Sequence, residues 1–258
     1  MEISKSKIKT YAALSARKHR ENQGLFVAEG MKCVLETLPF FTLEALILTP
    51  VCIQAHGLPR GVPAERVFTA VPRQMEQISS LSTPPAMLAV YRLPEPHTPE
   101  PADLKNELAL VLDGVQDPGN LGTIMRTADW FGVRHILASR QTADIFNPKA
   151  VQATMGAIGR VRVSYVDLPV FLTEYRAATG LPVYGTLLDG DSIYTSELSA
   201  KGLIAMGNEG KGLTAEVRSL VSRPLLIPSW PAGAPAVESL NVAMATAITL
   251  AEFRRRLS

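Results

Sequence analysis

From residue 108 onward, short apolar runs alternate with amphipathic stretches. The runs 108–112 (LALVL), 135–138 (HILA), 161–165 (VRVSY), 182–188 (PVYGTLL), 203–206 (LIAM) and 224–227 (PLLI) predict strands. Between and after them, helices are predicted over 121–131, 148–155, 170–179, 213–220 and 240–256. Gly180 followed by Pro182 marks a helix end. Continuous apolar strands separated by helices predict a mostly parallel sheet covered on both faces. Sheets of this kind bind ligands at the carboxyl ends of their strands.

The first half is a smaller α/β pattern. Strands are predicted at 25–28 (LFVA), 43–48 (LEALIL) and 86–91 (AMLAVY), and helices at 31–38 and 72–81. Leu14, Ala16 and Lys18 fit a further short helix. Between the halves runs RLPEPHTPEPAD, residues 92–103, in which Pro94, Pro96, Pro99 and Pro101 disfavour both helix and sheet ladder. A Pro-rich surface loop within one domain would look similar, but the change of character across it favours a linker. The predicted organisation is a domain over 1–93, a linker over 94–106 and a domain over 107–258.

With 258 residues, 47% hydrophobic and 19% charged, the chain can build a sizeable core, which excludes wholesale disorder. Lys and Arg number 26 against 24 Asp and Glu, so a globally basic coat is excluded while a local patch is not. Residues 3–20 supply such a patch: Lys5, Lys7, Lys9, Arg17, Lys18 and Arg20, with no acid among them. A solvated helix face is the plainer reading of such a run; the absence of acids tips it towards RNA. Two cysteines, Cys33 and Cys52, cannot form a disulfide framework, and no Cys/His cluster offers a metal set. No apolar run reaches membrane-spanning length and no signal-peptide pattern follows the N-terminal lysines, so a reducing, cytoplasmic setting is expected. His19, His56, His97 and His135 have no neighbours suggestive of catalysis. Trp130 and Phe131 end an amphipathic helix and read as core or dimer contacts. Arg254–Arg256 reads as a charged helix end complementing the dipole.

Three predicted strand ends carry small and polar residues. After 108–112 comes DGVQDPGNLGTIMR, with Asn120 where a helix N-cap is wanted and Arg126 inside the helix. After LIAM comes GNEGKG, residues 207–212, a turn with exposed amides and Glu209 in its middle. It is neither a dinucleotide fingerprint nor a P-loop. After Ile227 a Pro/Ala/Gly-rich loop leads to Ser239 and Asn241 at the head of the last helix. Each loop alone is an ordinary capped turn; together they can assemble one pocket.

In this order the residues resemble the SpoU/TrmH family of RNA ribose 2′-O-methyltransferases, within the knotted SPOUT class. The motif N-x-G-x-x-x-R-x-A matches Asn120, Gly122, Arg126 and Ala128. G-x-E-x-x-G matches Gly207, Glu209 and Gly212, and I-P followed by S-L-N-V matches Ile227-Pro228 and Ser239-Leu240-Asn241-Val242. The first half resembles the family's small substrate-binding domain through the basic arm and GLFVAEG at 24–30. The stretch between Pro228 and Ser239 is longer and richer in Pro and Ala than in shorter members.

The resemblance implies a trefoil knot, S-adenosylmethionine as cofactor, RNA (ribosomal more than transfer RNA) as partner, no metal, and a homodimer. By motif position, Asn120, Arg126, Glu209, Ser239 and Asn241 form the catalytic set, and the backbone at Gly207, Ile227 and Leu240 meets the cofactor. A non-catalytic RNA-binding protein would be expected to have lost one of the polar residues, and all are present. A Rossmann oxidoreductase lacks support without GxGxxG after the first strand.

Overall fold

The computed structural model describes residues 1–231, 237 and 239–256. It divides into two compact units: Met1–Glu95 with Asp144–Arg160, and Pro96–Ala143 with Val161–Ser258.

The first unit starts with α1 (Lys5–Ala13) and α2 (Arg17–Gln23). It continues through β1 (Leu25–Glu29), α3 (Met31–Thr37), β2 (Leu43–Leu48), α4 (Pro50–His56), β3 (Val67–Thr69), α5 (Pro72–Ile78) and β4 (Met87–Arg92). The sheet order is β1-β4-β2-β3, with β4 antiparallel to β1 and β2, and β2 parallel to β3. Strand β3 was not predicted, because three residues give no periodicity to read. Helix α4 was also not predicted, although its start is marked: Thr49 caps it through a bond from Cys52 N at 3.2 Å, and Pro50 follows.

The basic arm differs from the expected single helix. It is two helices, broken after Leu14, which is fully buried among Ile8, Tyr11, Ile47 and Val90. The break leaves carbonyls without helical partners, and Arg20 meets them. Its Nη1 donates to Leu14 O and Ser15 O, both at 2.8 Å, and its Nη2 pairs with Asp144 at 2.6 Å. Arg20 is only 2% exposed. It therefore leaves the expected RNA-binding set: its charge is spent on closing the helix break. Lys7 is half-buried, with Nζ 4.8 Å from the Phe68 ring centre and 3.2 Å from Tyr11 Oη. Lys5, Lys9, Arg17 and Lys18 are exposed, Arg17 pairing with Glu21 at 2.7 Å.

The second unit is built on a six-stranded sheet. Its elements begin with β5 (Leu108–Asp113), α6 (Pro118–Trp130) and β6 (His135–Ala138). The chain then leaves at Asp144 for α7 (Pro148–Thr154), which belongs to the first unit. There Phe146 lies 4.8 Å from the Phe26 ring centre and Cys33 Sγ reaches Val151 O at 3.8 Å. Gly156 and Gly159 are so close to Glu36 and Phe40 that an added Cβ would meet those side chains at 2.3 Å. Helical periodicity shows that 148–155 has an apolar face, but not which sheet covers it. The second unit resumes with β7 (Arg162–Tyr165), α8 (Leu168–Thr179), β8 (Val183–Ser192), β9 (Gly202–Gly207), α9 (Ala215–Ser219), β10 (Arg223–Leu226) and α10 (Val242–Arg255).

The strand order is β10-β8-β9-β5-β6-β7, and every pairing is parallel. This is the α/β sheet that the apolar runs predict. Within the expected linker, Pro101–Asn106 forms a 3₁₀ helix whose Leu104 is buried with Leu172 and Tyr175. Of the loop 229–238, residues 232–236 and 238 lie outside the described residues, so the expected trefoil knot is not traced through it. Among the described residues no helix is long and apolar enough to cross a membrane.

The three terminal arginines do more than complement a dipole. Arg254 Nε donates to Phe131 O at 2.7 Å. Glu252, buried, takes Arg255 and Arg256, each at 2.8 Å. Arg256 also donates to the carbonyls of Ser196 (2.6 Å), Ile193 (3.1 Å) and Tyr194 (2.5 Å). The hydrogen bonds from Arg255 first, and Arg256 after it, hold the Glu252 carboxyl down to about 2.

Arg20→Ala is expected to cost about 3 kcal/mol, because it leaves Asp144 and two carbonyls unpaired, whereas Lys18→Ala changes stability by less than about 0.5 kcal/mol; urea unfolding measures both. The Glu252 carboxyl is held lower in the fold than in the open chain, so its contribution is present above the ordinary value of 4.5. It is lost as pH falls from there through about 2. Glu252→Gln should flatten that part of an acid-unfolding curve; equal slopes would sink the assignment.

Candidate active site

Strands β5 and β9 are neighbours, and their register sets Asp113 opposite Gly207. Both strands therefore end level, and the loops that follow them start side by side. Asp113 is buried and ties them: its Oδ2 accepts from Thr214 N at 2.7 Å and Thr214 Oγ1 at 2.8 Å.

Helix α6 starts at Pro118, two residues before Asn120. Asp117 is the N-cap, its Oδ1 accepting from Asn120 N at 2.8 Å, with Pro118 at the first helical position. Proline is suited there because its fixed φ fits the helix and its missing N–H would be unpaired anyway. The expected capping role of Asn120 is thus taken by Asp117, and the Asn120 side chain is released for other partners. Its Nδ2 donates to Glu209 Oε1 at 2.6 Å, and its Oδ1 accepts from Asn241 Nδ2 at 3.1 Å. Asn241, rather than Ser239, caps the last helix: its Oδ1 accepts from Ala243 N at 3.0 Å and Met244 N at 3.3 Å. Ser239 Oγ instead donates to Glu209 O at 3.2 Å. Asn120, Glu209, Ser239 and Asn241 therefore form one hydrogen-bonded cluster.

Arg126 stands apart from it. Six residues beyond Asn120, it projects from α6 about 240° around the helix axis. Its side chain is exposed and makes no ion pair among the described residues. One turn further, Trp130 is 85% exposed, so it is not a core residue of this chain.

A cavity of about 600 Å³ opens beside the cluster. Gly207, Ile227 and Leu240 all line it, as do Glu209 and Ser239. Its wall is mixed, with Met206, Leu225 and Val242 as apolar surface and Thr186 and Lys211 as polar groups. Gly207 has no room for a side chain, since an added Cβ would lie 2.3 Å from Gly212 C and 2.5 Å from Leu213 N. A larger hollow of about 830 Å³ lies where β8 and β10 begin, near Arg176 and Arg223. It contains none of the cluster residues, so size does not mark the site.

Sequence reasoning missed Asp113, Asp117, Thr214 and Asn208, which hold the loops rather than face the cavity alone. Asp117-Pro118 was the available signal for the true helix start.

The SpoU rRNA Methylase family model matches residues 107–251, and the model of the MRM3-like substrate binding domain matches residues 5–89. The 23S rRNA (guanosine(2553)-2′-O)-methyltransferase RlmP of Bacillus subtilis is 32% identical over 254 residues, covering 96% of this chain and 96% of its own. The 23S rRNA (uridine(2479)-2′-O)-methyltransferase of Streptomyces viridochromogenes is 29% identical over 258 residues, covering 96% and 88%. Among solved structures, a TrmH-family protein from Porphyromonas gingivalis is 39% identical with a TM-score of 0.86, covering 99% of this chain and 100% of that one. An AdoMet-bound rRNA methyltransferase from Sinorhizobium meliloti is 30% identical with a TM-score of 0.84, covering 100% and 98%. These likenesses give the parallel sheet the SPOUT fold. With more than half of its length matched by the family model, the chain belongs to the SpoU rRNA methylase family.

Proposed function

We propose that this chain transfers the methyl group of S-adenosylmethionine to a ribose 2′-hydroxyl of ribosomal RNA. The observation that carries the reading is the cluster of Asn120, Glu209, Ser239 and Asn241, of which Glu209 and Ser239 line the cavity. The relatives named above act on 23S rRNA, which favours ribosomal over transfer RNA.

The cavity suits the cofactor chemically. Its volume matches a nucleoside-sized ligand. Leu225, Ile227 and Leu240 offer apolar surface for a flat base, and Lys211 a cation for a carboxylate. Gly207, Ile227 and Leu240 would hold the cofactor through their backbones. When bound, its sulfonium supplies an activated methyl and a neutral leaving group.

The difficulty lies with the acceptor, since a ribose hydroxyl is a weak nucleophile of high pKa. The chain must align the oxygen and help remove its proton. Asn120, Ser239 and Asn241 would orient the ribose. Glu209 is the only carboxylate of the cluster; its Oε1 is engaged by Asn120, which leaves Oε2 able to receive a proton. Arg126 cannot serve as a base, because a guanidinium stays protonated in proteins. It would grip a substrate phosphate by two parallel bonds and steady negative charge developing on oxygen.

Lys5, Lys9, Arg17 and Lys18 form the exposed basic part of the arm, which would contact the RNA backbone. The exposed Trp130 on α6 and Met244 on α10, 85% and 52% accessible, lie on helices that pack together. A large apolar side chain as exposed as Trp130 would anchor a homodimer.

Methyl transfer from labelled S-adenosylmethionine to unmodified ribosomal RNA, followed by nuclease digestion, tests the reaction. Label is expected on ribose, and Arg126→Ala should lower transfer by about 100-fold or more. Arg126→Lys with near-wild-type activity and an unshifted pH profile would remove any special role of the guanidinium. Trp130→Glu should yield a monomer by light scattering; an unchanged dimer would move the interface elsewhere.

A further inference from the structure

Asn208 lies between Gly207 and Glu209 and makes five hydrogen bonds. Its backbone N donates to Gly212 O at 3.0 Å and its carbonyl accepts from Gly212 N at 2.9 Å, which closes the loop 208–212. Its side-chain Oδ1 accepts from Gly210 N at 3.0 Å and Lys211 N at 3.1 Å. Its Nδ2 donates to Gly114 O at 2.9 Å, in the loop that leads from β5 into α6. Gly114 is held in turn by its own N–H, which donates to Ser139 Oγ at 2.9 Å. The orientation of the amide follows from its partners: two N–H groups at one end need an oxygen, and a carbonyl at the other needs an N–H.

We propose that Asn208 is a positioning residue that sets the Glu209 carboxylate against Asn120. Glu209 stands in a loop with Gly207, Gly210 and Gly212, whose backbone has unusual freedom to lose. The two bonds to Oδ1 fix the loop's interior, and the bond from Nδ2 fixes the loop to the approach of α6. Asn120 stands in the first turn of α6, which that approach leads into, and Glu209 in the glycine loop, so their 2.6 Å contact needs both ends of the clamp. Aspartate has the same shape but no donor, and it would face the Gly114 carbonyl with negative charge. Glutamine is one carbon too long. This inference rests on the reading of Glu209 as part of the catalytic set.

The test uses the full chain as wild type, Asn208→Ala, Asn208→Asp, Glu209→Gln, and each Asn208 variant combined with Glu209→Gln. Two quantities are read: kcat on a ribosomal RNA transcript, and the position of the Asn120 side-chain amide in ¹⁵N spectra of the free enzyme. Each Asn208 variant is expected to lower kcat by about 10- to 100-fold with transcript affinity unchanged. The double variants should be no slower than Glu209→Gln alone. The Asn120 amide should move towards its position in Glu209→Gln. A kcat within about twofold of wild type, losses that multiply in the double variants, or an unmoved amide would overturn the proposal. If Asn208→Ala does not fold, Asn208→Asp, which keeps both loop bonds, decides alone. Absence of transfer by the wild type, with the amide shift still seen, would overturn the proposed reaction and support the positioning.

Discussion

The hydrogen bond from Asn120 to Glu209 is the contact on which the site depends. It joins a helix and a glycine loop that are 89 residues apart in sequence. A 2.6 Å bond between an amide and a carboxylate is short and charge-assisted, and it tolerates little displacement of either partner. Its geometry is set by the sheet beneath. The β5–β9 ladder puts Asp113 opposite Gly207, so the two loops leave at one level. A ladder slipped by one residue would turn Asp113 away from Thr214 and raise one loop above the other. Apolar burial in the strands thus fixes polar geometry at their ends.

Around that bond the same side chains serve twice. Asn241 satisfies the first amides of α10 with its oxygen and holds Asn120 with its nitrogen. Asp117 caps α6 and so frees Asn120. An amide side chain can do this because it carries both a donor and an acceptor on one rigid plane. A carboxylate in either asparagine position would lose the partner that the amide nitrogen serves.

Much of this was legible in the sequence. Fully apolar runs such as LALVL and LIAM announce buried parallel strands, and each became one. The polar residues at their ends, taken in chain order, pointed to a shared pocket, and Asn120, Glu209, Ser239 and Asn241 do meet. What stayed hidden depends on partners distant in the chain. Arg20 resembles its neighbour Lys18 in sequence, yet Arg20 closes a helix break against Asp144 and Lys18 faces solvent. Helix α7 has an apolar face whose partner, β1, is more than a hundred residues away. Asn208 looked like filler between two motif positions, because the value of an amide in a turn lies in which N–H groups surround it.

The span of the cluster has a consequence for how the protein comes to life. Asn241 reaches Asn120 across 121 residues, and Glu209 across 89. Contacts so distant in the chain form late, since a long loop must close before they repay the lost entropy. While α10 is still unformed, β5 and α6 can already present Asn120, but with its acceptor oxygen facing water. A half-made molecule would therefore carry its exposed basic helices before its polar cluster was complete. The completed cluster is the last arrangement that such long closures allow.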